Sequence, residues 1–308
     1  MDYAHVPVLL AETLEALRIR PDGVYVDGTA GGGGHSLAIA KQLQTGRLIA
    51  MDRDPDAVAA ASARLRDVAN ATVIPGNFAN MGGALDALGV TEVNGVLLDL
   101  GVSSYQLDEP ERGFSYHKDA PLDMRMSKEG STAADLVNRL SVEELTKILT
   151  EYGEERYAYR IANQIAKSRQ TNPITTTAAL AEAVKRAVPA AYQREGHPAR
   201  RTFQALRIAV NGELDALAAG LEAAFARLCV GGELVVISFH SLEDRIVKRR
   251  FAEWTKGCTC PPDFPVCVCG KTPQARLSPP KAIKPGAEEM ARNPRSRSAV
   301  LRGVEKLK

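Results

Sequence analysis

Asp27, Asp52 and Asp99 are the residues of this 308-residue chain whose type and setting best suit chemistry. Each closes a short apolar run, and a glycine or proline follows within a few residues. In parallel α/β sheets, ligands gather at the carboxyl ends of strands. Behind Asp27 stands Gly28-Thr29-Ala30-Gly31-Gly32-Gly33-Gly34-His35, a turn with almost no side chains. Glycines let a backbone take positive φ and let a ligand come close. The helix that begins after them offers unpaired backbone N–H groups to a polar ligand end. Strand, glycine turn and helix together form the entry of a nucleotide-binding α/β domain, and a flexible surface loop is the bland alternative.

Asp52 falls 25 residues after Asp27. A carboxylate at that distance past the glycines accepts hydrogen bonds from ribose hydroxyls, so the expected ligand carries an unphosphorylated ribose. Phe78 follows the third apolar run, where its ring either stacks on adenine or packs in the core. NAD and S-adenosylmethionine both fit this outline. A carboxylate beside the glycines repels a pyrophosphate but suits a cationic amino-acid group, which favours S-adenosylmethionine. So does Leu228-Cys229-Val230-Gly231-Gly232-Glu233-Leu234, which resembles the lead into the fifth strand of class I methyltransferases, with Val230 in place of a proline. Asp99 is expected to face the ligands, with capping of the next turn as the alternative. His35 reads as catalytic or as a helix-start histidine oriented by the loop. His240 reads as lining a target pocket or as a packed structural histidine.

The elements that must position these residues alternate. Strands are expected at 24–27, 47–52, 71–75 and 94–99, and helices at 36–43, 55–68 and 80–88. Continuous apolar strands alternating with helices indicate a parallel sheet covered on both faces. The alternation stops at 101–130, rich in Ser, Gly, Asp and Pro, and 131–192 is strongly helical. A helix over 205–228 and a strand at 232–238 return to the sheet. The expected fold is α/β, a class I, Rossmann-like S-adenosylmethionine methyltransferase sheet with an inserted helical domain. The expected parts are 1–105 and 205–308 for the sheet domain, with a basic C-terminal segment, and 106–204 for the insert, a substrate-recognition domain.

A hydrophobic content of 45% with 25% charged residues suits a globular protein. No apolar run could span a bilayer, and the first residues lack a basic stretch followed by an apolar core, which points to the cytoplasm and away from any membrane. The net charge of +2 hides an asymmetry, because residues 241–308 hold fifteen Lys or Arg against seven Asp or Glu. A basic segment on an acidic body suggests a polyanion such as RNA, or a solvated tail. Candidate RNA contacts are Arg200, Arg201, Arg207, His240, Lys248, Arg249, Arg250, Arg295 and Arg297. Cys258, Cys260, Cys267 and Cys269 form two Cys-x-Cys pairs. Four thiols could hold zinc, although the usual spacing is Cys-x-x-Cys. A proline-rich loop with free thiols is the alternative, so no metal is assigned.

Taken together, DGTAGGGGHS, MDRDP, LLDLGVSS-x-QLD, ERGFSY, PLDMRM, YGEER, RTFQALRIAVN, ISFHSLEDRIVK and NPRSRSAVLR resemble the bacterial RsmH family, also called MraW, over nearly the whole chain. The resemblance implies S-adenosylmethionine as cofactor and methylation of the 4-amino nitrogen of a cytidine in 16S rRNA, near the decoding centre of the small subunit. By position it implies cofactor contacts at Gly33, Gly34, His35, Asp52, Phe78, Asp99 and Gln106. Tyr105 stands where the family usually has proline, and Asp-Leu-Gly-Val stands where many amino methyltransferases have Asp-Pro-Pro-Tyr. Asp99, or a backbone carbonyl beside it, is the expected acceptor of the amine proton. The resemblance also leaves a homodimer open. Rival readings are a methyltransferase acting on DNA or protein, and a non-catalytic RNA-binding factor that keeps a cofactor fold.

Overall fold

The structure, a computed structural model, describes residues 7–194, 196–258, 260, 266 and 268–308. The chain forms two units. One runs to Gly101 and resumes at Leu214, and the other is Val102–Glu213.

The first unit opens with α1 (Leu10–Leu17), β1 (Val24–Asp27), α2 (Gly34–Ala40), β2 (Arg47–Asp52), α3 (Pro55–Arg64), β3 (Ala71–Pro75), α4 (Met81–Ala87) and β4 (Val93–Asp99). Asp54 starts α3 by accepting the Asp56 N–H at 3.0 Å, with Pro55 in the first turn. An oxygen there satisfies a donor that has no partner within the helix.

The second unit holds α5 (Ser104–Asp108), α6 (Ala133–Arg139), α7 (Val142–Gly153), α8 (Ala158–Thr171), α9 (Thr177–Ala187), α10 (Ala190–Gln193) and α11 (Arg200–Asn211). Reciprocal capping boxes, Thr132 with Asp135 and Ser141 with Glu144, begin α6 and α7. Leu145 and Leu149, one turn apart, enter a core shared with Ile161, Ile165, Leu180, Val184, Phe203 and Leu206.

The first unit then continues with α12 (Glu213–Arg227), β5 (Leu228–Ser238), α13 (Ser241–Thr255), β6 (Ala275–Leu277), α14 (Ala287–Arg292) and β7 (Val300–Lys306). The seven strands run in the order β3-β2-β1-β4-β5-β7-β6. β1 to β5 are parallel neighbours, and β7 is antiparallel to both β5 and β6. Strand alternation feeds two apolar layers. Val26, Leu98 and Val236 join Leu221, Phe251 and Trp254 on one face, while Tyr25, Leu97 and Val235 join Leu9, Leu17 and Ile39 on the other. Asp27 pairs in register with Ala50 and Leu97, and Asp99 with Ile237. The three carboxylates therefore end neighbouring strands on one edge of the sheet.

Several expectations shift. The helix expected over 205–228 is two helices, because Gly212 takes φ 58° and ends α11. α11 packs on α7, so it belongs to the helical unit, and the boundaries fall at 101/102 and 213/214 rather than 105/106 and 204/205. β5 begins at Leu228 rather than 232. The basic C-terminal segment is no tail, since α13, β6 and β7 lie in it and β7 pairs along β5 from Ser238 to Glu233. Among the described residues no helix is long and apolar enough to cross a membrane.

Gly46 sets the register between β1 and β2. Its N–H donates to the Pro21 carbonyl at 2.9 Å, and Arg47 N–H donates to the Gly23 carbonyl at 3.0 Å. A Cβ at this position would strike the Gly23 and Asp22 backbone, which no rotamer can relieve. Gly46→Ala is expected to cost about 1–3 kcal/mol, read as a lower urea midpoint with an unchanged slope.

Candidate active site

Asp27 is 1% exposed and fully engaged. Its Oδ1 accepts the Thr29 N–H at 3.2 Å, and its Oδ2 accepts the Ser36 hydroxyl at 2.5 Å. Burial pushes this carboxyl up to about 6, against the pull of those two donors, and the Asp52 charge adds to the rise. Asp52 sits half-buried at the end of β2, and its oxygens take the N–H groups of Gly31 at 2.8 Å and Asp54 at 2.9 Å. Its carboxyl is also raised, chiefly by burial. The glycine turn is thus tied to Asp52, while Gly28 N–H and Ala30 N–H reach the carbonyls of Leu97 and Met51 at 2.9 and 3.0 Å.

Within the turn, Gly31 and Gly33 take φ of 50° and 76°, the left-handed region that favours glycine. Gly33 is buried against Ala61 of α3, and Gly34 lies against Pro7. Gly32 is exposed, with open space where a side chain would stand.

Asp99 is perturbed as well. Its backbone N–H donates to Thr29 Oγ1 at 2.6 Å. Its Oδ2 lies 3.5 Å from His35 Nδ1, and its Oδ1 is buried with no hydrogen-bond partner among the described residues. Burial raises its carboxyl well above the usual range, and the charges of Asp27 and Glu243 reinforce the shift. His35 is 6% exposed, and its Nε2 stands 3.1 Å from the Val8 carbonyl. A carbonyl only accepts, so Nε2 carries a proton. Nδ1 then meets Asp99 Oδ2 favourably only if one further proton lies between them, on the imidazole or on the carboxyl. The His35 ring is therefore turned inward as a prop for Asp99.

Phe78 opens a short 3-10 turn after β3, and its ring seats against Gly220 of α12, leaving no room there for a side chain. It is half-buried and also borders the core below. His240 caps α13. Its Nδ1 accepts the Glu243 N–H at 3.4 Å, and Glu243 Oε2 accepts the N–H groups of Phe239 and His240 at 2.8 and 3.2 Å. The imidazole is thus held at the start of α13, beyond the end of β5.

These features give a glycine turn bound to an acidic strand end, on a sheet in the order 3-2-1-4-5-7-6. The profile of the MraW methylase family matches residues 2–307. The chain belongs to this family. Similar curated proteins include the ribosomal RNA small subunit methyltransferase H of Symbiobacterium thermophilum, 55% identical, with 100% of this chain and 98% of that protein aligned. The protein of the same name from Clostridium botulinum strain Kyoto is 53% identical, with 100% of each chain aligned. Among solved structures, an rRNA methylase from Streptococcus thermophilus aligns over 100% of each chain at 12% identity and a TM-score of 0.44.

As a member of the MraW methylase family, the protein draws its methyl group from S-adenosylmethionine. The residues present fit that cofactor. Three carboxylates crowd one end of the sheet, where the Asp52 charge raises Asp27 and the Asp27 charge raises Asp99, a setting that a sulfonium or ammonium cation relieves and a pyrophosphate worsens. Asp99 Oδ1 is an acceptor in want of a donor. Asp52 keeps lone pairs for hydroxyl donors beside those it has spent on backbone N–H groups.

The remaining candidates are spread over both units. Gln106, 4% exposed in the helical unit, closes a capping box with Ser103. Arg207 makes a two-pronged ion pair with Glu213 at 2.8 and 2.7 Å, and Arg250 pairs with Glu222 and Glu253 at 2.7 and 2.8 Å. Arg249 pairs with Glu253 at 3.4 Å, and Arg201 donates to the Glu154 carbonyl at 2.7 Å. Arg295 is exposed. Arg200, Lys248 and Arg297 are exposed and have no ion pair among the described residues. Cys267 lies outside the described residues. Thr29, Ser36 and Val8 went unnoticed in the sequence. Thr29 and Ser36 are hydroxyls two and nine residues past Asp27, and that proximity was the available signal.

Asp27 makes stability depend on pH. Its carboxyl is raised in the fold, so its contribution is full below about pH 4 and is lost as pH rises through about 6. Asp27→Asn stays neutral throughout. In urea titrations the wild type is expected to lose stability relative to this variant between about pH 4 and pH 6. A constant gap across that range would show that the carboxyl is already ionised in the folded protein at its lower end.

Proposed function

We propose that this protein transfers a methyl group from S-adenosylmethionine to the exocyclic 4-amino nitrogen of a cytidine in 16S rRNA of the small ribosomal subunit, in the cytoplasm. The names of its relatives supply the ribosomal RNA and the small subunit. The observation that carries the chemistry is Asp99 Oδ1, a buried acceptor at the end of β4 with no partner among the described residues.

The exocyclic amine of cytosine has its lone pair delocalised into the ring, so a catalyst gains most by orienting it and accepting its hydrogen bonds. When bound, the cofactor supplies a methyl group made electrophilic by a sulfonium. Asp99 Oδ1 accepts an amine N–H and fixes the nitrogen's direction. A nitrogen that gains a methyl group becomes cationic and must give up a proton. Asp99, with its carboxyl raised by burial, is suited to take it. His35 acts through Asp99 as a positioning residue, holding Oδ2 so that Oδ1 stays free. Asp52 serves the ribose and Phe78 the adenine side. The cytidine must leave its stack to reach this site. Arg200, Lys248 and Arg297 are free to meet phosphates, and the helical unit, Val102–Glu213, takes part in substrate recognition.

Asp99→Asn keeps an acceptor but cannot take a proton. Labelled-methyl transfer to undermethylated small subunits at saturating cofactor, with nucleoside analysis, is expected to fall about 10²–10⁴-fold. Full transfer by this variant would remove Asp99 from the role, and a product other than N4-methylcytidine would overturn the assigned target.

A further inference from the structure

Outside the methyl-transfer residues named above, the segment between α13 and β6 gathers thiols. The Sγ atoms of Cys258, Cys260 and Cys269 all lie within 4.8 Å of one another. Cys258 and Cys269 stand 3.7 Å apart, Sγ to Sγ. That spacing is far from a disulfide, whose sulfurs are about 2.05 Å apart. It matches two thiolates on one tetrahedral zinc, because Zn–S bonds of about 2.3 Å at a tetrahedral angle separate the sulfurs by about 3.8 Å. The Cys260 N–H also points at Cys258 Sγ, at 3.4 Å, a donor that favours the thiolate over the thiol.

The two ends of this segment meet. Gln274 N–H donates to the Trp254 carbonyl at 2.8 Å, and Gly257 approaches Pro273. Val266 and Val268 are 69% and 72% exposed, so the burial of these two side chains does not hold the thiols together. Lys256 and Lys271, both exposed, flank the cysteines in sequence and add positive charge to the segment.

We propose that Cys258, Cys260 and Cys269 bind a structural zinc ion that clips the loop between α13 and β6. Three thiolates in tetrahedral array select zinc over hard cations that prefer oxygen. Cys267 lies outside the described residues, so the site is argued from three thiols, and a tetrahedral zinc takes one further donor. The metal acts on this loop and takes no step in methyl transfer.

The full-length protein, expressed with zinc in the medium and purified without chelators, is expected to carry about one zinc per chain by elemental analysis. Replacing that zinc with cobalt is expected to give the intense bands of a tetrahedral thiolate site. In the double variant C258S/C269S the metal content is expected to drop to near none, while the circular dichroism and S-adenosylmethionine affinity stay at wild-type levels. If the double variant does not fold, iodoacetamide labelling of the wild type decides instead, with Cys258 and Cys269 protected until zinc is stripped. Wild-type protein without zinc and without a tetrahedral cobalt spectrum overturns the proposal. So does zinc retained by C258S/C269S, or thiols that label equally with and without the metal.

Discussion

Crowding of carboxylates at the end of a parallel sheet governs this molecule. The order β2-β1-β4 sets Asp52, Asp27 and Asp99 on three neighbouring strands, all pointing the same way. A buried carboxylate without partners costs several kcal/mol, so each must be supplied with donors or keep its proton. The donors come from the glycine turn and its helix. Thr29 and Ser36 serve Asp27, Gly31 serves Asp52, and His35 faces Asp99. The turn therefore has two duties. It leaves space for a ligand at Gly32, and it supplies the N–H and O–H groups without which the acidic end would not be tolerated.

One site is left unfinished. Among the described residues Asp27 and Asp52 have partners on both oxygens, whereas Asp99 has only His35 on one. A buried acceptor with no donor forgoes the stabilisation that a hydrogen bond gives. This is the usual sign of a group kept ready for a molecule that arrives from outside. His35 keeps the Asp99 carboxyl oriented, anchored in turn by the carbonyl of Val8.

Much of this was legible in the sequence because it is local. Strand ends marked by Asp27, Asp52 and Asp99 announce themselves through apolar runs that stop at a charge. The helical character of 131–192 is equally local, and α6 to α9 lie in that stretch. The ends of the sheet beyond β5 were hidden for physical reasons. β6 has three residues, and β7 carries Arg302, Glu305 and Lys306, so neither shows a clean apolar run. Arg302 is accommodated by a two-pronged pair with Asp244 of α13, a contact between residues 58 positions apart. The inward turn of His35 was hidden for the same reason, since its partners Val8 and Asp99 are remote in sequence. The division at Gly212 follows from a single left-handed residue between two helical patterns that otherwise look continuous.

The strand order also governs how the chain must be made. β4 and β5 lie side by side, yet the whole of Val102–Glu213 and then α12 are threaded between them. During synthesis β4 emerges with one edge unpaired, and β5 follows only after that intervening stretch. At roughly 5–20 residues per second, the open edge waits on the order of ten seconds. The helical unit, rich in contacts between neighbouring helices, can close within that time, whereas the sheet must stay half-built. An apolar strand with a bare edge invites pairing with other chains. The interval between β4 and β5 is therefore the stage of biogenesis at which a nascent chain is most exposed to misassembly and most in need of a chaperone.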